Sequence, residues 1–285
     1  MPLDVEEITG AELAPLEHRC TPQTFILYAL GVGAGVDPDD LRFCYEGPPG
    51  LAALPTFGTV PSLSTALSLL RLRAVDVTPM MLIHGEQHLH ILRQPPVPGS
   101  LITRSKVKGV FDKGTGALIE VESETRDGSG DIIYTNVLGT FVPGEGGFGG
   151  DRGPAAGNEP PDRDPDRVIE MATLPQQALL FRLSGEVSPL LHLEQEHASR
   201  AGYEKPILHG ICTLGFAGRA ILREFCDNDP RRFASVKARF SGHVYPGETL
   251  LTEMWDLGGG EIVFRVRTRD RGAVVVSNAV AFVTA

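Results

Sequence analysis

Apolar runs bounded by polar turns mark a set of short strands in each half of the chain. Residues 116–124 and 132–142 form two such runs in the first half, and residues 262–268 and 273–283 form two in the second. Consecutive strands joined by short turns are typical of an antiparallel meander. The pattern therefore predicts one meander in each half.

A Pro-Gly turn that leads into a further apolar strand precedes each meander. The turn is Pro98-Gly99 in the first half and Pro246-Gly247 in the second. The same order of turn and strands in two places favours a duplicated α+β unit.

The longest helix is predicted over residues 210–225. Its buried face would be formed by apolar residues that recur at helical spacing, namely Leu214, Ala217, Ile221 and Phe225. Residues 22–30 predict a shorter helix in the first half. The apolar segment 61–74 carries few turn residues and is a candidate for a second helix there.

A segment rich in glycine and proline, residues 144–167, divides the chain into two parts of similar size. Glycine and proline at this density do not hold a helix or an inner strand. We therefore predict an N-terminal unit over residues 1–145, a linker over 146–167 and a C-terminal unit over 168–285.

Composition and charge exclude several classes of protein. The chain has 285 residues, of which 42% are hydrophobic, and this is enough for a well-filled core. Its net charge is −10 and its cations are dispersed, so no nucleic-acid partner is expected. No apolar stretch is long enough to cross a membrane, and the acidic first residues do not resemble a signal peptide.

Four widely spaced cysteines lack the spacing of a zinc or redox motif. The three histidines at positions 84, 88 and 90 have no set of carboxylate or thiolate ligands beside them, so no metal site is predicted. The last residues do not form the Ser-Lys-Leu peroxisomal address. We expect a cytoplasmic protein with reduced thiols.

The candidate catalytic residues lie just before the long helix. Glu186, His192 and His209 come together with Gly210, which opens the helix. Histidine exchanges a proton near neutral pH, a carboxylate can orient it, and a bare N–H at the start of a helix suits an oxyanion. A lone histidine is more often only a hydrogen-bonding residue, so the residues by themselves leave both interpretations open.

The sequence Pro-Ile-Leu-His-Gly at residues 206–210 resembles the helix-opening motif of the MaoC-like type 2 enoyl-CoA hydratases. These include the hydratase unit of peroxisomal multifunctional enzyme type 2 and its bacterial relatives. Further segments resemble the family in the family's order, namely residues 28–34, 45–47, 54–58, 84–87, 112–114, 144–150, 237–240 and 245–250. The resemblance covers nearly the whole chain.

The resemblance implies an α+β fold of two tandem hot-dog units, each with a long helix wrapped by an antiparallel sheet. It implies hydration of trans-2-enoyl-CoA to (3R)-3-hydroxyacyl-CoA, or the reverse dehydration, without a metal or redox cofactor. The partner would be an acyl-CoA or a related acyl thioester, and the protein would be a homodimer. A peroxisomal location is the alternative if the chain is cut from a multifunctional enzyme.

The catalytic loop departs from the family's sequence Ser-Gly-Asp-x-Asn-Pro-Leu-His. Residues 184–192 read Ser-Gly-Glu-Val-Ser-Pro-Leu-Leu-His, which is one residue longer. Counting forward, Glu186 takes the place of the aspartate and Ser188 that of the asparagine. Counting back, His192 takes the place of the catalytic histidine. If the extra residue lies early in the loop, the aspartate position falls on Val187 instead.

Three functions remain open for this loop. Glu186 and His192 can form a working dyad, with Glu186 as base towards water, His192 as its acid–base partner and the Gly210 N–H as the oxyanion donor. The dyad can instead serve dehydration or isomerisation of an unusual acyl thioester in a biosynthetic pathway. The third possibility is an acyl-CoA-binding homologue with impaired turnover.

The resemblance also implies substrate-binding residues outside the loop. Glu46 matches a carboxylate that the family needs, although a solvated turn residue is the simpler interpretation. His84, Gly85 and Gln87 resemble the segment at the CoA or acyl entrance, and His209 belongs to the helix-opening motif. The alternative for residues 84–87 is the solvated start of an edge strand.

Two further features are candidates for contact with CoA. Phe148 lies in a glycine-rich run that resembles a family segment near the CoA nucleotide, or that is simply a linker. Lys237 and Arg239 are two residues apart on a predicted strand, so both point to the same side. They could bind CoA phosphates or only keep the strand soluble.

Overall fold

Ten antiparallel strands form one continuous sheet in the computed structural model, which describes residues 3–48, 50–78, 82–155, 157–185 and 190–284. The first five strands are β1 (Glu12–Cys20), β2 (Ile83–Ile91), β3 (Gly99–Asp112), β4 (Gly116–Asp127) and β5 (Ile132–Pro143). The other five are β6 (Arg167–Ala172), β7 (Phe233–Phe240), β8 (Thr249–Asp256), β9 (Glu261–Thr268) and β10 (Val274–Val283).

The order of the strands shows that the chain is duplicated. Across the sheet it is β1-β3-β4-β5-β2-β7-β10-β9-β8-β6. Number the strands of each half from one to five along the chain. From the outer edge of the sheet to its centre, both halves then have the order first, third, fourth, fifth and second. The halves meet where β2 pairs with β7, so that each half hides one edge of the other.

The α-helices lie in the connections between strands. In the first half they are α1 (Val5–Ile8), α2 (Pro22–Gly31), α3 (Leu41–Cys44), α4 (Val60–Leu63) and α5 (Thr65–Leu69). In the second half they are α6 (Gln177–Phe181), α7 (Leu190–Leu193), α8 (Gln195–Arg200) and α9 (Gly210–Cys226). None of the helices in the described ranges has the length and apolar content needed to span a membrane.

The long helix α9 is buried more completely than its sequence predicts. Its apolar spacing predicts a single buried face, but every residue from Ile211 to Leu222 is buried. The helix packs on β7, β8 and β10 on one side and on the first half on the other. The candidate helix over residues 61–74 is broken into the short helices α4 and α5.

Two glycines let α9 approach the first half closely. A Cβ atom at Gly215 would lie 2.3 Å from Cγ1 of Val32, and one at Gly218 would lie 2.5 Å from Cγ2 of Thr56. Either distance is far below ordinary van der Waals contact. The two halves therefore share one core that passes through this helix.

A buried ion pair lies on the same side of α9. Arg219 Nη2 donates to Asp40 Oδ2 at 2.7 Å, and Arg219 Nη1 donates to the carbonyl of Val32. Asp40 also accepts from the backbone N–H of Gly35. These contacts fix α9 along its axis with respect to the first half.

The glycine- and proline-rich segment, residues 144–167, crosses the sheet and is hydrogen-bonded to it; this segment is called the strap below. The Asp112 carboxylate accepts from the N–H groups of Gly147 and Gly149, at 2.8 Å each. Further along, Asn278 donates to the carbonyl of Gly157, and the indole N–H of Trp255 donates to that of Arg163. The exact limits of the units and the linker remain predictions.

The close packing at Gly215 can be tested by adding one methyl group. We expect Gly215→Ala to lower the free energy of unfolding by about 1–3 kcal/mol, because overpacking outweighs the better helix propensity of alanine. Urea denaturation measures this, and Arg223→Ala on the exposed part of the same helix should change it by less than about 0.5 kcal/mol. An unchanged or increased stability of Gly215→Ala would contradict the packing described.

Candidate active site

The N-terminus of α9 is the centre of the site. His209 is the N-cap residue, but its side chain does not cap the helix, and Gly210 is the first helical residue. The first N–H groups of a helix have no partner within it and carry the positive end of the helix dipole. The Phe240 ring covers Gly210 so closely that a Cβ there would lie 3.0 Å from Cδ1. This end of the helix can accept an oxyanion.

His192 lies beside this helix terminus and is held in one tautomer. Its Nδ1 lies 2.9 Å from the carbonyl oxygen of Ile207. A carbonyl only accepts, so Nδ1 carries the proton and Nε2 presents a lone pair. Burial lowers the pKa of His192 to about 4, against a smaller opposite effect of this hydrogen bond. At neutral pH the ring is therefore an uncharged base.

His209 stacks on His192. The two ring centroids are 3.7 Å apart with an interplanar angle of 27°, and the Phe181 ring lies 5.0 Å away from His209. His209 is 3% exposed, and within the described residues neither of its ring nitrogens has a hydrogen-bond partner. Burial lowers its pKa well below the usual value, and the neighbouring His192 adds to this effect.

Glu186 and Ser188, the proposed base and its neighbour, lie outside the described residues. The ends of their loop are described. Gly185 has a φ of +121° and lies against Val60 of the first half, and the loop leads into α7, which carries His192. The loop therefore begins at the contact between the two halves and ends at the stacked histidines.

His84 approaches the same helix terminus from the central strands. A register shift in the β2–β5 pairing makes Gly85 an extra residue, which turns His84 to the same side as Gln87. The His84 ring packs edge-on against Phe240 with centroids 4.9 Å apart. Phe240 thus joins His84 to Gly210. Burial lowers the pKa of His84 to about 4.

Gln87 is wholly buried and tied into the core. Its Nε2 donates to Asn136 Oδ1 at 2.7 Å, and Asn136 donates to the carbonyl of Gly58 at 3.0 Å. Within the described chain, Gln87 Oε1 and His84 Nε2 have no hydrogen-bond partner. Buried polar atoms of this kind are normally satisfied by water or a ligand.

Arg239 and Lys237 point away from α9. Their strand neighbours Val236 and Ala238 are buried in the core with α9, and successive side chains of a strand face opposite sides. Arg239 Nε donates to Glu86 at 3.0 Å and so joins β7 to β2. The structure therefore does not bring these two cations together with the histidines.

Lys237 lines a cleft of about 110 Å³ on that outer face, below the strap. Lys108 and Lys113 line it too, and Lys108 pairs with Glu120. The sequence analysis did not single out Lys108 or Lys113. Lys113 stands in a segment that resembles the family, but Lys108 comes close to Lys237 only through the order of the strands.

The other two predicted substrate-binding residues lie apart from the histidines. Glu46 is exposed in the loop after α3 and forms no hydrogen bond or ion pair with a described residue. Phe148 is partly buried and packs against the second apolar cluster of the first half. The binding roles of Glu46, Phe148 and the other site residues remain predictions.

Comparison with known families identifies both halves. Residues 18–144 match the family described as MFE-2 hydratase 2 N-terminal domain, and residues 156–279 match the MaoC like domain. The probable enoyl-CoA hydratase 2 of Dictyostelium discoideum is 41% identical over 291 residues, which is 99% of this chain and 97% of that protein. The chain belongs to the MaoC-like hydratase 2 family.

Other members of the hydratase 2 family include longer proteins. Peroxisomal multifunctional enzyme type 2 of Drosophila melanogaster is 43% identical over 89% of this chain, but the match spans only 44% of that enzyme. Its full-length structure superposes with a TM-score of 0.83 at 38% identity, over 96% of this chain and 48% of that one. A MaoC-like dehydratase of Phytophthora capsici gives 0.87 at 34% identity, over 99% of both chains.

The expected fold is confirmed by a further structure. A Mycobacterium tuberculosis protein described as a double hotdog fold superposes with a TM-score of 0.60 at 16% identity, over 98% of both chains. The predicted α+β tandem hot-dog fold is therefore correct for this chain.

The buried histidines of this family member predict a loss of stability in mild acid. His84, His192 and His209 have lowered pKa values in the folded chain, so the unfolded chain binds more protons below pH 6.5. Each extra proton removes about 1.4 kcal/mol of unfolding free energy per pH unit between about pH 6.5 and 4. We expect urea denaturation to give a much lower stability at pH 5 than at pH 7.

His84→Gln supplies the comparison for this pH effect. The variant lacks one of the histidine rings whose pKa is lowered, so the stability that it loses between pH 7 and pH 5 should be smaller than the wild type's by the contribution of about one proton. Equal stability of the wild type at both pH values would show that these rings are not held neutral.

Proposed function

We propose that the protein adds water to trans-2-enoyl-CoA to give (3R)-3-hydroxyacyl-CoA and catalyses the reverse dehydration. One observation carries this proposal: a neutral His192, whose Nε2 is unprotonated and can take a proton, lies beside the N-terminus of α9. The names of several relatives, among them enoyl-CoA hydratase 2 of Arabidopsis thaliana at 39% identity, support the substrate class.

The helix terminus would bind the thioester. The Gly210 N–H donates to the thioester oxygen, and the helix dipole favours the negative charge that grows there when water attacks carbon 3. Phe240 closes the side of Gly210 and keeps bulk water from this oxygen. The helix therefore stabilises the enolate that forms during addition and during elimination.

His192 and the loop before it would handle the proton. The water gives one proton to the His192–Glu186 pair, its oxygen bonds to carbon 3, and the α-carbon receives a proton from the same pair. Glu186 is the base towards water, and the Ser188 hydroxyl takes the place of the family's asparagine in holding the geometry. Elimination of water follows the same path in reverse, and neither direction needs a metal or redox cofactor.

The rest of the acyl-CoA would extend along β2. His84, Gly85 and Gln87 border the thioester through Phe240. His84 Nε2 and Gln87 Oε1, which have no hydrogen-bond partner among the residues that the structure describes, offer hydrogen bonds to the substrate. The CoA tail would pass the end of β2 to the outer face of the sheet, where the cleft of Lys108, Lys113 and Lys237 would take its phosphates against the negative net charge of the chain.

The proposal also covers the oligomeric state of the protein and its location in the cell. The active form would be a homodimer that works in the cytoplasm, and the alternative location is the peroxisome. The latter is supported by relatives whose names place them there, such as the Drosophila melanogaster multifunctional enzyme.

Hydration of crotonyl-CoA and longer enoyl-CoAs by the pure protein tests the function. We expect turnover to the 3-hydroxy product, and chiral analysis should find the (3R) form. His192→Ala should reduce kcat by on the order of a hundredfold or more, because it removes the acid–base group. His197→Ala, on the neighbouring α8, should match the wild type. Equal rates for His192→Ala and wild type would end the assignment, as would tight acyl-CoA binding without turnover.

The phosphate cleft predicts a selective change in KM. Lys237→Ala should raise KM for a CoA ester by roughly two- to fivefold, the effect of one partly exposed charge contact, and leave kcat unchanged. The same variant should treat an N-acetylcysteamine thioester, which has no phosphates, like the wild type. Lys106→Ala is the control, since Lys106 pairs with Glu122 outside the cleft. A KM that rises equally for both thioesters would place the phosphates elsewhere.

A further inference from the structure

Burial of the His209 side chain at this position is energetically unfavourable. It is 3% exposed between the rings of Phe181 and His192, and in the part of the chain that the structure describes neither ring nitrogen has a partner. A phenylalanine would fill the same space without burying two polar atoms. Unsatisfied buried polar groups of this kind occur where water or a ligand completes them.

Capping of the helix does not explain the histidine. His209 is the N-cap residue of α9, yet its side chain accepts no hydrogen bond from the helix N–H groups. Serine, threonine, aspartate and asparagine are the residues that fill this position when the side chain caps a helix. The ring instead turns towards His192 and lies against its face.

The stacked geometry gives both rings access to one small molecule. Both rings are neutral, because burial lowers the two pKa values. A neutral imidazole offers one N–H and one lone pair. The ring centroids are 3.7 Å apart, a separation that one oxygen atom beside the stack can bridge by contacting a nitrogen of each ring at ordinary hydrogen-bond distance.

We infer that His209 is a second imidazole of the active site and that its N–H donates a hydrogen bond to the oxygen atom that is added or removed. This inference rests on the proposed hydration. During addition, the water oxygen accepts from His209 while its proton leaves to the His192–Glu186 pair and its lone pair bonds to carbon 3. During elimination, the C–O bond breaks, the same pair returns the proton, and His209 stabilises the charge on the departing oxygen. His209 keeps its own proton throughout.

The decisive variant is His209→Phe, which keeps the ring contact with His192 and removes both nitrogens. We expect kcat for crotonyl-CoA to fall by on the order of a hundredfold with little change in KM, since the lost contact acts on the reacting oxygen. We also expect the melting temperature to stay equal or rise, because two unpaired buried polar atoms are gone. A residue with only a structural role would not combine lower kcat with unchanged or higher stability.

His209→Gln and His197→Phe are the two comparison variants. The glutamine amide keeps an N–H donor and is not among the side chains that favour capping at this position, so the kcat of His209→Gln should exceed that of His209→Phe, and His197→Phe should match the wild type. A kcat of His209→Phe within about threefold of wild type would overturn the inference while the hydration stands, as would a kcat of His209→Gln below that of His209→Phe. A wild type that does not hydrate enoyl-CoA at all would end both proposals.

Discussion

The arrangement of the whole molecule depends on one helix that is packed from all sides. The segment from Ile211 to Leu222 is buried between the sheet of its own half and the first half. Such burial is possible only because Gly215 and Gly218 have no side chain where Val32 and Thr56 approach. The contact fixes the two halves to each other, and it also fixes where the N-terminus of α9 meets the loop that begins against Val60.

The same burial produces the chemistry of the site. Taking His84, His192 and His209 out of water lowers their pKa values and keeps the rings uncharged at neutral pH. An uncharged His192, held by Ile207, can accept a proton that a charged ring could not. The lowered pKa values that keep these rings available as bases also cause the loss of stability in mild acid. A change in the burial of these rings would therefore alter both stability and activity.

Local pattern was enough to predict the strands of the two meanders and α9, and it was not enough to predict what they bring together. These elements follow from apolar runs and helical spacing within a few residues, whereas β1 and β6 are not among the predicted strands and the candidate helix over residues 61–74 is broken. The bulge at Gly85, which turns His84 towards Phe240, depends on pairing between distant strands. The cleft of Lys108 and Lys237 has the same origin. The altered loop at Glu186 stays a prediction because it lies outside the described residues.

The duplicated halves differ at the one point that decides where catalysis can occur. The helix α2 of the first half begins with Pro22, which has no N–H, and the Thr21 side chain accepts from the N–H of Thr24 in a capping box. Part of this terminus is therefore satisfied by the chain itself. The helix α9 begins at Gly210, and the side chain of its N-cap residue His209 provides no such cap. Among the described residues, the start of α9 therefore has more N–H groups left for a substrate oxygen than the start of α2, which favours α9 as the oxyanion site of a chain with two similar halves.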